Sequence, residues 1–503
     1  MKNSISFVGP HPHARFATRF ARAALGLRAL TAFLLSALIA PEAFSQKHYK
    51  DLAYPPLSDL TIPSIEKITL SNGLTLYLLE DHSLPTVSGY ALIRTGDRFE
   101  LAEKTGLASI LGQVMRTGGS VSRKGDDIDR LLENSGSSVE TGVETTSATG
   151  SLFALKENFP LSLEILADLL RNPAFPNDRI ELAKVQERAS IERRNDDVGE
   201  IADREFQKLI YAGTPYGRTT EYTTIDAITR DDLVAFHKQY FHPNQMLLGL
   251  WGDFGSAEAK ALVEKHFGSW TRAQVKMPPL PAVLAVPKAS VNLVQKDDVN
   301  QTNLRLGHLA GRFSDSDFYA MNVAAEVLGG GLSSRLFRRI RSDLALAYTA
   351  SASWGARYDY SGRFLVYCNT KSETTVRAVQ EILKELRRIT VEPVSEDELR
   401  VAKDGILNSF VFNFDTKGEI VRRRMTYDYY GYPADFLQKF KENVEKVTAG
   451  DVLKAAQRNL FPDKLTILAA GKAQDFDQPL SLLGPVTTID VTIPPPAAVS
   501  RGR

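Results

Sequence analysis

Residues 106–113 read Gly-Leu-Ala-Ser-Ile-Leu-Gly-Gln, and they open a helix whose neighbours set the fold. Leu107, Ile110, Leu111, Val114 and Met115 recur at three- and four-residue spacing, which puts them on one buried face. Upstream, Thr69-Leu-Ser-Asn-Gly-Leu-Thr-Leu-Tyr-Leu-Leu-Glu80 reads as a hairpin, with Asn72-Gly73 at the turn and apolar residues alternating on both arms. Val87-Ser-Gly-Tyr-Ala-Leu-Ile-Arg94 is a second apolar strand ending near Gly96. Downstream, Ser137–Thr146 alternates and is β-rich, and Asn172-Pro-Ala-Phe-Pro176 opens a long charged helix. Strands, a helix, further strands and then several helices predict an α+β layer.

The layer occurs twice. Thr229-Arg-Asp-Asp-Leu-Val-Ala-Phe236, leading to Leu248-Gly-Leu-Trp-Gly-Asp253, returns as Thr448-Ala-Gly-Asp-Val-Leu-Lys-Ala455, leading to Ile467-Leu-Ala-Ala-Gly-Lys472. The offset is about 219 residues, and Ala183-Lys184 answers Ala402-Lys403 at the same distance. Met277–Pro287 is rich in proline and reads as a stiffened linker. These signals predict a leader over 1–45, a first domain over 62–275, a linker over 276–289, a second domain over 290–475 and a flexible tail over 476–503.

Taken in order, these segments resemble the pitrilysin/insulinase family of zinc peptidases. The resemblance runs from about Ile65 to Lys472 and includes the Gly-Asp-Arg turn before Gly106, Pro215-Tyr-Gly and Phe241-His-Pro-Asn-Gln-Met. It implies two homologous α+β domains folded toward each other as a clamshell. The family carries Gly-Leu-Ala-His-x-x-Glu-His where this chain has Gly106–Gln113. There, two imidazoles one helical turn apart hold zinc and the intervening Glu activates water. Here the three positions are Ser109, Gly112 and Gln113. The family's third ligand is a Glu on a downstream helix, and alignment on Asp196-Asp197 puts Ser190 there, with Glu187 and Glu192 close by. A hydroxyl, a hydrogen and an amide cannot do the work of two imidazoles and a carboxylate. The chain is therefore expected to bind no zinc, and zinc is expected in a partner subunit.

A second set of family residues is intact. Val327-Leu-Gly-Gly-Gly-Leu-Ser-Ser-Arg-Leu-Phe337 leads to Arg341 and, seven residues on, Tyr348. On spacing alone the better reading is an Arg in a surface ion pair and a Tyr in a core; the glycine-rich context and the repeat reverse it. By resemblance, Arg341 and Tyr348 donate to the scissile carbonyl of a peptide and to the oxyanion as it forms, with Gly330 of the glycine-rich turn lining the substrate site. Gly329–Gly331 could also cradle a phosphate, but no Gly-Lys-Ser/Thr follows, so close backbone approach is the better account. The run Tyr427–Tyr432 reads as a helix end packing aromatics. Relatives hold substrate against the edge equivalent to Ser137–Thr146, where Glu140 and Glu144 make this chain's edge acidic and peptide capture doubtful.

Composition narrows the rest. The formal net charge is +1, with 61 basic and 60 acidic residues, which gives no signal for nucleic acid or an anionic membrane. The single Cys368 excludes an internal disulfide and reads as a small strand hydrophobe. Basic residues precede an apolar run from Ala29 to Ala40, then Ala43-Phe-Ser, as in a cleaved export signal; a retained membrane anchor and an organelle transit peptide are the alternatives. The expectation is an exported, periplasmic, non-catalytic subunit paired with a pitrilysin-type zinc peptidase and acting on peptides. The alternatives are a structural or binding protein without hydrolytic role, and an active peptidase with unconventional ligands.

Overall fold

A computed structural model describes residues 63–283 and 288–494. The expected leader, four residues of the linker and the last nine residues lie outside them.

In the first half, β1 (Glu66–Thr69), β2 (Thr75–Glu80), β3 (Thr86–Ile93), β4 (Ser138–Val143), β5 (Ala148–Leu155) and β6 (Met246–Gly252) form one sheet, in the order β1-β2-β6-β3-β5-β4. The hairpin turn holds because Gly73 takes φ +89°, and because Asn72 Nδ2 donates to Phe267 O at 2.8 Å. Against one face lie α1 (Leu107–Thr117), α2 (Gly125–Asn134), α3 (Phe159–Arg171) and α4 (Asn177–Arg193). Then α5 (Val198–Ile210), α6 (Tyr222–Asp226) and α7 (Arg230–Tyr240) lead to β6, and α8 (Ser256–Phe267) closes the half.

The second half repeats this order in five strands, its sixth coming from the far end of the chain and lying parallel to its neighbour where β1 lies antiparallel. Its sheet runs β12-β7-β11-β8-β10-β9, from β7 (Ser290–Gln295), β8 (Gln301–Leu309), β9 (Ala347–Gly355), β10 (Arg363–Lys371), β11 (Thr466–Gly471) and β12 (Val486–Thr488). Its helices are α9 (Phe318–Gly329), α10 (Thr375–Val391), α11 (Glu396–Phe410), α12 (Lys417–Tyr430), α13 (Phe436–Lys446) and α14 (Ala449–Asn459). The sequence repeat has local causes. Thr229 and Thr448 each cap a helix through a reciprocal box with Asp232 and Asp451, and Asp197 and Thr416 cap the pair α5 and α12.

That pair joins the halves by exchange. α5 belongs to the first half in sequence, yet Ile201, Ala202, Phe206 and Ile210 pack on Val294, Leu468 and Ala470 of the second sheet. α12 returns the favour: Val421, Met425 and Tyr429 pack on Tyr77, Leu79, Leu92 and Leu247 of the first. The approach is close enough that a Cβ on Gly249 would stand 2.5 Å from both Met425 Sδ and Val421 Cγ1. Polar contacts follow the same seam. Fully buried Arg305 reaches Asp203 on α5 at 2.7 Å, and Arg98 reaches Asp359 at 2.6 Å. Fully burying a side chain such as Ile201 or Phe206 is worth about 1.5–3 kcal/mol, so the two seams are a substantial part of the fold's stability.

One expectation is corrected. The tail over 476–503 was read as flexible, but its described part is built in. Leu480–Leu483 forms a 3-10 turn, β12 adds beside β7, and the Ile489 N–H donates to Leu293 O at 2.8 Å. Val491 O accepts from Asn195 Nδ2 at 2.6 Å, and Ile493 packs on the first half's core. The prolines beyond masked a run of alternating apolar residues that completes the second sheet, as β1 completes the first.

Candidate functional site

Helix α1 keeps the Gly-Leu-Ala start because its first turn needs it. Gly106 sits at φ +104°, where a side chain is strained, and a Cβ there would press on Ile225 and Thr220. The buried carboxylate of Glu100 accepts from the N–H groups of Gly106, Leu107 and Ala108 at 2.7, 3.0 and 3.3 Å. Those donors favour its anion, but burial, with Asp97 adding to it, pushes its carboxyl up to about 7.

On the face of α1 toward α4 the side chains satisfy one another. Ser109 Oγ donates to Glu187 Oε1 at 2.7 Å, and the amide of Gln113 bonds that of Gln186. Ser190, one turn further along α4, is exposed and makes no side-chain hydrogen bond to α1. Glu187 and Gln186 were not singled out as facing these positions. The signal lay in their spacing, since residues three and four before Ser190 share its side of a helix.

Gly112 is buried and leaves no room. A Cβ there would lie 2.7 Å from Val143 N and 2.8 Å from Gly142 Cα, both backbone atoms of β4. Thr141 Oγ1 donates to Gly112 O at 2.6 Å and tightens the contact. Position 112, where the resemblance expects a catalytic Glu, lies hard against the edge strand. That edge is also capped, because Arg116 Nε donates to Val139 O at 2.6 Å, with its guanidinium 2.8 Å from Asp129. One carboxylate, one hydroxyl and two amides are not a zinc donor set, and among the described residues no three His, Cys, Asp or Glu side chains converge as metal ligands.

The retained residues lie in the second half. Gly329 meets the edge strand β9 so tightly that a Cβ would stand 1.9 Å from Ala352 N, which is why glycine is needed there. A π-helical turn over Phe337–Asp343 follows and places Arg341. Its guanidinium stacks between two rings, 4.8 Å from Phe337 and 4.6 Å from Tyr348. Tyr348 is 74% exposed and Leu332, on the glycine-rich turn, 75%. Between the pair, Ala345 holds φ +52°, a left-handed conformation costly for a residue with a Cβ. The turn is anchored from behind by buried Arg335, whose Nε and Nη2 reach Glu398 at 2.7 and 2.9 Å. Arg335 holds the Glu398 carboxyl well below its usual range, at about 2.

The two sets are not brought together. No hydrogen bond or ion pair among the described residues links Arg341 or Tyr348 to α1 or α4, and Arg341 stacks only within its own half. Gly330 lies beside Glu326, with a hypothetical Cβ 2.0 Å from its carboxyl. Cys368 is buried in β10, where burial pushes its thiol up to about 12, and so acts as a hydrophobe. Tyr427 and Tyr429 are buried, and Tyr430 stacks on Tyr358 at 4.6 Å.

Comparison with known proteins agrees with this architecture. Residues 77–224 match the family model described as insulinase (peptidase family M16), and 227–406 match the one described as the peptidase M16 inactive domain. A Mycobacterium leprae protein called an uncharacterized zinc protease is 26% identical over 391 residues, 76% of this chain and 87% of its own. A Helicobacter pylori protein called a non-peptidase homolog is 24% identical over 384 residues, 74% of this chain and 86% of its own. Among solved structures, a Pseudomonas fluorescens peptidase M16 inactive domain superposes with TM-score 0.71 at 22% identity, covering 82% of this chain and 98% of that one. A protease from Helicobacter pylori gives 0.70 at 20%, covering 82% and 100%. The chain belongs to the pitrilysin/insulinase (M16) peptidase family, as a member without the family's zinc-binding histidines.

Proposed function

We propose that this chain is the non-catalytic subunit of a heteromeric M16 zinc peptidase, exported to the periplasm. In this reading the chain offers Arg341 and Tyr348 to the active chamber of a partner chain that carries His-x-x-Glu-His and the zinc. The carrying observation is an asymmetry. The first-half site is stripped and packed shut, while the second half keeps a stacked Arg–Tyr pair, Arg341 half-buried and Tyr348 exposed, beside a strained Ala345. In the partner's chamber, Arg341 N–H groups and the Tyr348 hydroxyl donate to the carbonyl oxygen of the peptide bond under attack, where they stabilise the negative charge that develops. The relative called a non-peptidase homolog is in keeping with this role. Export rests on the leader, and no helix among the described residues is long and apolar enough to cross a membrane.

A second reading, a structural or binding protein, draws support from Arg116 capping the β4 edge. The two separate in one experiment. The chain is assayed for zinc and peptide hydrolysis alone and after co-expression with an encoded relative bearing an intact zinc motif. Zinc and activity confined to the co-expressed complex support the helper role. Silence in both favours the structural reading, and one zinc with activity in the isolated chain refutes both.

A further inference from the structure

The fold's internal symmetry assigns a counterpart to each stripped position. Gly112 of α1 lies against the backbone of β4, and Gly329 of α9 lies against the backbone of β9 in the same way. With 112 matched to 329, Ser109 corresponds to Glu326 and Gln113 to Gly330. The repeat of 219 matches Gln186 of α4 to Gly405 of α11. The contacts agree with the match: Gln113 bonds Gln186, and Gly330 and Gly405 both border the Glu326 carboxyl.

The chemistry at the two places is opposite. In the first half Ser109 and Gln113 each have a protein partner across α1 and α4. In the second, Glu326 is half-buried and its carboxylate has neither a hydrogen bond nor an ion pair among the described residues. A Cβ on Gly330 would stand 2.0 Å from its carboxyl, and one on Gly405 3.0 Å from Oε1, so a side chain at either position would crowd the carboxylate. Burial raises the carboxyl, and no cation acts against it. A half-buried carboxylate without a protein partner can take a cation that arrives from outside.

We propose that Glu326, whose carboxylate lies against Gly330 and Gly405, is a subsite for the basic side chain of a peptide, Arg or Lys, held on the exposed face of the second half. The proposal rests on the helper reading, which brings peptides to this face. It adds a specificity that Arg341 and Tyr348 do not supply, since those donors meet a carbonyl present in every peptide.

The test is binding of an extended, otherwise uncharged peptide with one central arginine, set against the same peptide with citrulline, its neutral isostere. Anisotropy is measured on the full chain and on its complex with the zinc-bearing relative. The arginine peptide should bind about tenfold tighter, the worth of one charge-assisted hydrogen bond. Rising salt should shrink the preference. Glu326→Gln, which keeps the shape, should erase the preference and leave citrulline binding unchanged, while Glu326→Asp should keep its sign. If both peptides bind equally, or Glu326→Gln keeps the preference, the subsite is refuted and the helper role stands. If neither peptide binds the chain or the complex, both fall. If Glu326→Gln instead weakens assembly with the zinc-bearing chain, Glu326 is a subunit contact and the peptide subsite is wrong.

Discussion

The two halves share strand order, capping residues and offset, and they differ where α1 and α9 meet their edge strands. In the first half, Ser109, Gln113, Gln186 and Glu187 bond to one another and β4 closes over Gly112. In the second, β9 meets Gly329 just as closely, but the Glu326 carboxylate has no partner among the described residues, Tyr348 faces solvent and Ala345 holds a strained φ. Here one side has been sealed with compensating hydrogen bonds, and the other keeps features that cost stability. The strained Ala345 and the exposed Tyr348 beside an Arg–Tyr pair are what a surface used by another molecule would show.

The largest effect expected from a single change falls on neither face but on the seam that holds them together. Phe206 lies on α5, is fully buried and packs on the second sheet. Phe206→Ala should cost about 3–5 kcal/mol in chemical denaturation. A loss below 1 kcal/mol would mean that the exchanged helices are an ornament and that each half folds by itself.

Next comes the exposed pair. In a complex with an active partner, Arg341→Ala or Tyr348→Phe should lower turnover about a hundredfold, as for loss of one oxyanion donor. Tyr348 buries little surface, so thermal melting of the chain should not move. Unchanged turnover would erase the functional difference between the halves and leave the structural reading.

The sealed face has its own test, at a smaller scale. Gly112→Ala puts a methyl against backbone atoms that cannot rotate away, and it should cost about 1–2 kcal/mol even after the helix-propensity gain of alanine. Gly331→Ala, where nothing lies within 4 Å, should stay within about 0.5 kcal/mol. Equal effects would show that β4 yields easily and that the first site is merely vacant. This contact also explains why restoring His at 109 and 113 and Glu at 112 is not expected to rebuild a peptidase: the Glu would have to displace β4.

How much of this was readable beforehand follows from range. Hairpins, caps and the repeat are local, so Asn72-Gly73, Thr229 and Thr448 declared themselves. The stripped motif and the Arg341–Tyr348 pair were legible because each occupies a few adjacent residues. The helix exchange was not, since α5 and α12 are ordinary amphipathic helices whose partner sheet lies about a hundred residues or more away. The close contacts of Gly112 and Gly329 depend on how far a helix sits from a strand, which no periodicity encodes. Glu187 was placed near Ser190, but that it faces Ser109 across two helices was not legible for the same reason.

The least of the expected effects is a slope. Glu100 beneath α1 titrates from 4.5 in the unfolded chain to about 7 in the folded one, so the folded state holds the extra proton in that window and stability falls as pH rises through it. His237 runs the other way. It is buried with Nε2 2.9 Å from Leu170 O, and burial lowers it from 6.5 to about 4, so its contribution is lost as pH falls. The first half therefore carries two opposed titrations that offset each other between about pH 4.5 and 6.5. In the second half His308 is lowered in the same sense as His237. Glu100→Gln removes the falling component and keeps an oxygen for the helix N–H groups. Relative to the unsubstituted chain, its stability should then rise between pH 5 and 6, by at most about 1.4 kcal/mol per unit. Parallel profiles from urea unfolding at the two pH values would mean that the three N–H donors hold Glu100 ionised throughout. The start of α1 would then be a fixed anion site rather than a titrating one.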